Sequence, residues 1–505
     1  MNAAQSAEFS PEPTSHESDL GKSSCRRVPG WLLLSVYNPA LPTADSIQGS
    51  GAVRSVTFKS FEPVRSGKLF QIMGAAPTYG MSSNPILQAT SANAGRQLPS
   101  EITAALQSLD SWIEGQGFRG WDPHDALNSP LLRRLTLHNR YAAIFWLQLL
   151  RRSPLNLRPL LAIPKDYNAK GMGLFLASYA HKYAVTHEPR HLEYIRFFAQ
   201  WLIRNRVPGY TGMGWGYNFD WPNRAFFAPA GTPTVVNTAF IGLAFLDMHL
   251  LLGNELEWSS IIDGAEVPGG EQHSSSSALD VARSSCDFVL RDLNVLAPAG
   301  DEHCFSYTPL DRRFVHNASM MGAWLLASVF KQTGEPHLRE AALVAARFTA
   351  RRQLPDGAWS YGIAANECWV DNFHTGFVLV ALKRVGDYLQ TDEFDKSVLR
   401  GYRFWKERMF LPDGTAKYYP DRTHPVDVHS VAQAILTFLE FRQEDEEGLE
   451  HAVRVARWGI ENLQDSTGYF YYQSCRGYTI RIPYIRWAQA WMQRALTELV
   501  YSHHD

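Results

Sequence analysis

The sequence predicts an all-α chain folded as an (α/α)6 toroid, six inner and six outer helices around one axis, behind an N-terminal tail. Three observations predict it. A short aromatic motif recurs along the chain, helices of two kinds alternate between its copies, and the first 95 residues share neither property.

The recurring stretches are Trp215-Gly-Tyr-Asn-Phe-Asp220, Cys304-Phe-Ser-Tyr307, Gly357-Ala-Trp-Ser-Tyr361, Gly414-Thr-Ala-Lys-Tyr418 and Gly468-Tyr-Phe-Tyr-Tyr472. With Tyr307, Tyr361, Tyr418 and Tyr471 as markers, the steps are 54, 57 and 53 residues. A fixed period of that size is the mark of stacked supersecondary units. Before each copy runs a helix with one charged face, at 191–205, 278–293, 338–352, 394–408 and 448–463. After each runs a helix that is apolar nearly all round, at 234–251, 316–331, 371–386, 427–442 and 483–499. A helix apolar on every face is buried on every face, so the second kind forms an inner ring and the first an outer one. A sixth unit comes first, with helices at 100–116 and 168–186, the motif Gly120-Trp-Asp-Pro-His-Asp125 and an inserted helical stretch at 130–152. The Ser- and Gly-rich segment 253–277 reads as a loop insertion. Residues 96–505 thus form one toroid. Residues 1–95, rich in Ser, Pro, Gly, Ala and Thr without apolar periodicity, read as a disordered or weakly structured extension.

Composition narrows the function classes. A net charge of −2 with 19% charged residues argues against a nucleic-acid or membrane-surface partner held by bulk charge. Five scattered cysteines without a CxxC pair make neither a disulfide framework nor a zinc motif. The apolar stretch Trp31–Tyr37 is too short to span a bilayer, and no cleavage site follows it, so a cytoplasmic location is expected. No glycine-rich phosphate loop appears, and no nucleotide, redox or metal cofactor is expected. Aromatics reach 12%, with 15 Trp and 21 Tyr, which serve either as core or as half-wet platforms for sugar rings.

Inner-helix N-termini open onto one end of a toroid, so residues there share a rim. Asn168, Asn237, Asn317, Asp371 and Asp427 fall at the same register, five residues before Gly173, Gly242, Gly322 and Gly376 in the first four. Asn and Asp are preferred N-caps, which explains their position without function. Capping does not explain what else gathers there. The acid/base candidates are Asp371 with His374 one turn along, then Asp220, Asp427 and Asp122. Candidates for holding substrate are Trp121, Asp125, Trp221, Arg224, His316, Asn317, Trp359, Trp369, Tyr419, His429, Tyr484 and Arg486. Arg486 opens an apolar helix, where it must pair with a carboxylate or meet an anionic ligand. Such a cleft suits carbohydrate. Glycoside cleavage needs a protonated acid and a second carboxylate. Uronate lyase or epimerase chemistry needs a base next to a neutralised carboxylate. The inventory serves both.

The strings Gly216-Tyr-Asn-Phe-Asp-Trp-Pro-Asn-Arg-Ala-Phe-Phe227, Asp371-Asn-Phe-His-Thr-Gly-Phe377 and Ile482-Pro-Tyr-Ile-Arg-Trp-Ala-Gln-Ala-Trp491, together with Gly120–Asp125, resemble a bacterial family from exopolysaccharide and O-antigen gene clusters. Its members are labelled polysaccharide biosynthesis proteins of the Vps J type. The resemblance covers roughly residues 100–500 and implies a helical toroid that makes or trims a surface polysaccharide. More distantly, the layout is similar to (α/α)6 glycosidases and to the toroids of polysaccharide lyases and epimerases. Rival readings are a non-catalytic polysaccharide-binding or assembly protein, an isoprenoid cyclase and a zinc toroid. The cyclase reading rests on Gln353-Leu-Pro-Asp-Gly-Ala-Trp359 but lacks an Asp-rich acid. The zinc site would need His316, His374 and His429, or Cys304 and Cys368, to converge.

Overall fold

The computed structural model describes residues 99–501, apart from 137–138, 223–226, 254–260 and 262–276. The N-terminal extension, nearly all of the 253–277 insertion and Arg224 therefore lie outside the described residues. The compact unit that holds the toroid runs from Leu98 to Asp505.

Six inner helices close a ring. They are Ala169–Thr186, Val235–Leu252, His316–Thr333, Asn372–Leu389, Val428–Glu440 and Trp491–Tyr501, the last entered through a π-helical turn at Ile485–Ala490. Each packs on the next, and the sixth packs back on the first. The outer helices are Ser100–Gly115, Pro189–Arg204, Ala278–Asp287, Pro336–Ala350, Asp395–Arg408 and Gly448–Leu463. Each inner helix lies against the outer helix that follows it, and the sixth lies against the first outer helix, so the two ends of the chain complete one another. The sequence pattern accounts for this layering. In the last outer helix Ala452, Val455, Ala456, Gly459 and Leu463 are buried, a single stripe at helical spacing. In Val235–Leu252 most side chains are buried on all sides, and a helix apolar enough to cross a bilayer stands here as the wall of a toroid. A large apolar side chain buried this way contributes about 1.5–3 kcal/mol.

The repeated tyrosine has a physical cause. The first N–H groups of a helix have no partner within it. Val235 N–H donates to Tyr307 O, His316 N–H to Tyr361 O, Asn372 N–H to Tyr418 O and Val428 N–H to Tyr472 O. Each unit thus caps the inner helix of the unit before it. The fourth marker is Tyr472 rather than Tyr471, one residue beyond the expected register. At the ring closure Ile485 N–H donates to Trp121 O, so the first unit caps the last.

Outer-layer joints repeat as well. Gly357, Gly414 and Gly468 have φ of +96°, +94° and +104°, and a Cβ on them would lie 2.6, 2.6 and 2.3 Å from the carbonyl oxygens of Arg400, Arg454 and Ser108. Each of these turns abuts the following outer helix, and the last abuts the first. The Gln-Gly-Trp pattern belongs to the same joints: Gln353 Nε2 donates to Gly357 O and Ser397 O, and Gln464 Nε2 to Gly468 O and Ala105 O. It is a packing device here. Between inner helices, a Cβ on Gly173, Gly242 or Gly376 would approach Ile241, Leu325 or Gln433 within 3 Å, which is why small residues fall in register.

Capping differs from the expectation at two helices. Asn168, Asp371 and Asp427 are N-caps, accepting from Lys170 and Gly171 N–H, His374 N–H and His429 N–H. Asn237 is not, because the hydroxyl of Thr234 caps that helix three residues earlier. Asn317 is not, because its helix begins after Val315. Their side chains are left buried inside the first turn.

Candidate functional site

The rim is built from inner-helix starts and the loops before them. At the fourth unit, Asp371 is 1% exposed and receives three N–H groups. His374 N–H donates to Oδ1 at 3.0 Å, and Trp369 Nε1–H donates to Oδ2 at 2.9 Å. The third is His374 Nδ1, 2.6 Å from Oδ2. The spacing of three residues on one helix places the imidazole over its own cap. Because the Asp371 oxygens face only donors, Nδ1 carries the proton and the lone pair lies on Nε2. The His374 side chain is 22% exposed. Beside it, Trp369 is 37% exposed and stacks on Tyr361, with ring centroids 4.4 Å apart and planes 13° from parallel.

At the fifth unit Asp427 is fully buried. Its Oδ1 accepts from His429 N–H and Trp487 Nε1–H, both at 2.9 Å, and its Oδ2 from Gln473 Nε2 at 2.6 Å. Burial pushes this carboxyl up, against the pull of Trp487 and Gln473. His429 is 2% exposed and neither ring nitrogen has a partner. It lies among Phe373, Trp487 and Trp491 at 4.7, 4.8 and 4.6 Å, and burial holds it well below the usual imidazole range.

At the ring closure Asp122 meets Arg486 through a two-pronged ion pair, Nε to Oδ2 at 2.6 Å and Nη2 to Oδ1 at 2.8 Å. His124 adds its N–H and, at 3.3 Å, its Nδ1 to the same carboxylate. Burial raises the cost of charge here, but Arg486 and His124 outweigh it and hold Asp122 well below the usual carboxylate range. His124 is pushed down to about 4 by burial. Asp125 is bound to Arg158 at 2.8 Å and to Asp122 N–H, and burial lifts it to about 6 against the Arg158 charge. Asp220 accepts from Ala230 N–H at 2.8 Å and lies 3.6 Å from Arg133, so it fastens its own loop.

Several expected substrate contacts are engaged in packing. His316 faces outward, stacked on Phe348 at 5.3 Å with Nδ1 3.4 Å from the Thr349 hydroxyl, and burial pushes it down to about 3. It is a core histidine. Trp359 donates to Thr349 O and fills the space left by Gly401, so it is a joint. Trp121 donates to Ile163 O and pairs by backbone with Tyr484. Tyr484 itself is fully buried beneath the Arg158 guanidinium. Trp221 packs edge-on against Tyr307 at 5.1 Å, and Tyr419 lies under Arg422 beside Tyr418. Asn317 is 4% exposed with its Oδ1 unpartnered.

Two cations were absent from the expected set. Arg151, on the inserted helix Arg140–Arg152, donates to Tyr472 Oη at 2.8 Å and lies over Trp487. Lys170, in the first turn of the first inner helix, is 3% exposed with Nζ 4.3, 5.0 and 5.7 Å from the ring centres of Phe240, Trp491 and Phe377. One signal could have found it: Lys170 is the sole charge between Asn168 and His181 in an apolar stretch.

Chemically, both oxygens of Asp122, Asp125, Asp371 and Asp427 are engaged by N–H donors. Glu367 has one unpartnered oxygen, but that atom is sealed from solvent. Among the described residues no three His, Cys, Asp or Glu side chains converge to hold a metal ion. The His374 imidazole and the Asp220 carboxyl each keep 22% of the side chain exposed.

No protein-family model matches the sequence, and no curated relative does. Solved structures do. A sugar epimerase from a ruminal bacterium superposes with a TM-score of 0.50 at 14% identity, over 68% of this chain and 90% of that one. A cellobiose 2-epimerase from Spirochaeta thermophila gives 0.50 at 15%, over 66% and 85%. An unsaturated glucuronyl hydrolase from Bacillus sp. GL1, responsible for glycosaminoglycan degradation, gives 0.50 at 13%, over 79% and 95%. At such identities the likeness is one of fold: this chain has the (α/α)6 toroid that these carbohydrate-processing enzymes share.

Proposed function

We propose that the protein is a carbohydrate-active enzyme that moves a proton at a sugar carbon next to a carbonyl or carboxylate group, as an epimerase, isomerase or lyase does. The observation that carries this reading is the Asp371–His374 pair at 2.6 Å, with His374 presented at the rim while the surrounding buried aspartates are saturated. A glycosidase needs one carboxyl free to donate and another free to attack or to activate water. A proton-transfer enzyme needs a base held in one tautomer and a cation or dipole to stabilise the enolate. His374 Nε2 takes the proton while Asp371 orients the ring and stabilises the imidazolium. The imidazolium then gives the proton to the adjacent carbon in an isomerase or to the leaving oxygen in a lyase, whereas epimerisation requires a second donor on the opposite face of the enolate. The Trp369–Tyr361 stack offers a flat face for the sugar ring. The fold of the similar structures, two of them sugar epimerases, agrees with this reading. The sequence resemblance to exopolysaccharide-cluster proteins is what favours a substrate from surface-polysaccharide synthesis.

The test is incubation of the purified protein in deuterated water with neutral and uronic sugars and polysaccharides. Deuterium entering a carbon position that His374→Gln no longer labels supports the reading. New reducing ends with the ultraviolet absorbance of an unsaturated uronide would assign the lyase form, and new reducing ends with neither that absorbance nor carbon-bound deuterium would assign a hydrolase instead. Sugar binding with neither outcome would assign a non-catalytic binding protein.

A further inference from the structure

The axis of the toroid is closed by three rings from three alternate inner helices. Phe240, Phe377 and Trp491 come from the second, fourth and sixth helices, which are not neighbours in the ring. They touch pairwise, with centroids 5.4 Å apart for Phe240–Phe377, 5.0 Å for Phe240–Trp491 and 5.4 Å for Phe377–Trp491. Their contact makes an aromatic plug. Lys170 sits against all three rings, and its Cα lies in the first turn of its helix, nearer the rim than theirs. Lys170 is therefore at the floor of the rim site.

This amine lacks a counter-ion. Among the described residues no carboxylate pairs with it and no hydrogen bond engages it. Arg486 and Asp122 are the charged groups that act on it, and they already neutralise each other. A buried, unpaired ammonium is costly, and ring faces offset only part of that cost. On the fifth helix, His429 shares the Phe377 and Trp491 rings and has both nitrogens unpartnered. The floor therefore holds unused donors and one amine that meets no carboxylate among the described residues. Lys170 retains 3% exposure, and Nζ is not among the polar atoms sealed without a partner.

We infer that Lys170 is the recognition site for a carboxylate of the substrate, so that the sugar bound at the rim is a uronic acid residue. This rests on the reading of the rim as a sugar site. A single amine matches a monoanion; a phosphate dianion calls for a fork of donors, and the Arg486 fork is occupied. Burial and the Arg486 charge hold the Lys170 amine well below its usual range in the empty site, so carboxylate binding brings a proton with it.

The experiment compares methyl β-D-glucuronide with methyl β-D-glucopyranoside, which differ only in carboxylate against hydroxymethyl, by titration calorimetry in two buffers of different ionisation enthalpy. The expected result is glucuronide binding at least about tenfold tighter, accompanied by proton uptake. In Lys170→Met and Lys170→Gln that preference and the uptake vanish, while Tm is unchanged or higher and neutral-sugar binding persists. Equal affinity for the two glycosides, no glucuronide binding, tighter binding of glucose 6-phosphate, or a preference that survives both substitutions overturns the inference. Deuterium exchange is scored separately: selective glucuronide binding without exchange overturns the catalytic reading and leaves this one standing.

Discussion

Two aspartate–histidine pairs stand on the same rim, Asp122 with His124 and Asp371 with His374, and they have opposite fates. In both, an Asp accepts the backbone N–H and faces Nδ1 of a His two or three residues on. The third partner separates them. Asp122 is gripped by a guanidinium on both oxygens, so its charge is spent on Arg486, and its histidine, with 12% of its side chain exposed, stands at the seam between first and last units. Asp371 has only the Trp369 indole as third partner, so its charge remains directed at an imidazole that faces outward. The chemistry available to an Asp–His pair is set by what else the carboxylate serves.

Four outcomes would break or sharpen that contrast. The largest is expected at the seam: Asp122→Ala leaves Arg486 buried without a partner and costs about 3–5 kcal/mol in denaturant unfolding. Replacing Asp122 and Arg486 together by apolar residues recovers most of the loss, and additive losses would show the pair is not the cause. Asp122 titrates below its unfolded value, so its contribution is present above the ordinary carboxylate range and lost as pH falls through the folded value. The gap between wild type and Asp122→Asn accordingly narrows on acidification below about pH 4.

Next comes the mouth. His374→Gln is expected to lower the exchange rate by about 10²–10⁴-fold while unfolding stays within about 1 kcal/mol of wild type, because the side chain is partly exposed. A large loss of stability with modest loss of activity would move this pair into the structural class. Third, Gly468→Ala forces a Cβ to 2.3 Å from Ser108 O at a positive φ, and about 1–3 kcal/mol of destabilisation is expected at the ring closure. Gly477→Ala, at φ +86° with nothing within 4 Å, carries the backbone cost alone and serves as the control. The smallest effect belongs to Trp369→Ala. Losing the platform is expected to weaken sugar binding by about 1 kcal/mol, roughly fivefold, read as a higher KM with kcat less affected.

Local features of the site were legible and rotational ones were not. Asp371 and His374 are three residues apart on one helix, so their contact follows from helical geometry once the helix is assigned. His316 stands at the same end of its helix, yet it turns toward Phe348 in the outer layer, since being the first helical residue rather than the third rotates it away from the rim. Trp359 shares its motif with Tyr361, and the motif predicts a wall for sugar at both, but the chain bends at Tyr361, and the Trp359 indole enters the joint while Tyr361 stacks on Trp369. Asn237 and Asn317 carry the right residue type for caps, and a helix start shifted by three and two residues removes that role.

What the chain determined by itself is the architecture. A repeated tyrosine whose carbonyl caps the preceding inner helix, a glycine at each outer joint, and the alternation of one-sided and all-round apolar helices specify units that bury their surfaces only by stacking, and the first and last are complementary. The tertiary structure decided which polar groups are spent. Arg486 finds Asp122 across 364 residues, and Lys170 meets rings from three other helices and, among the described residues, no carboxylate. No local pattern carries that information, because a charge buried far from water is governed by whichever distant group the closed ring brings to it.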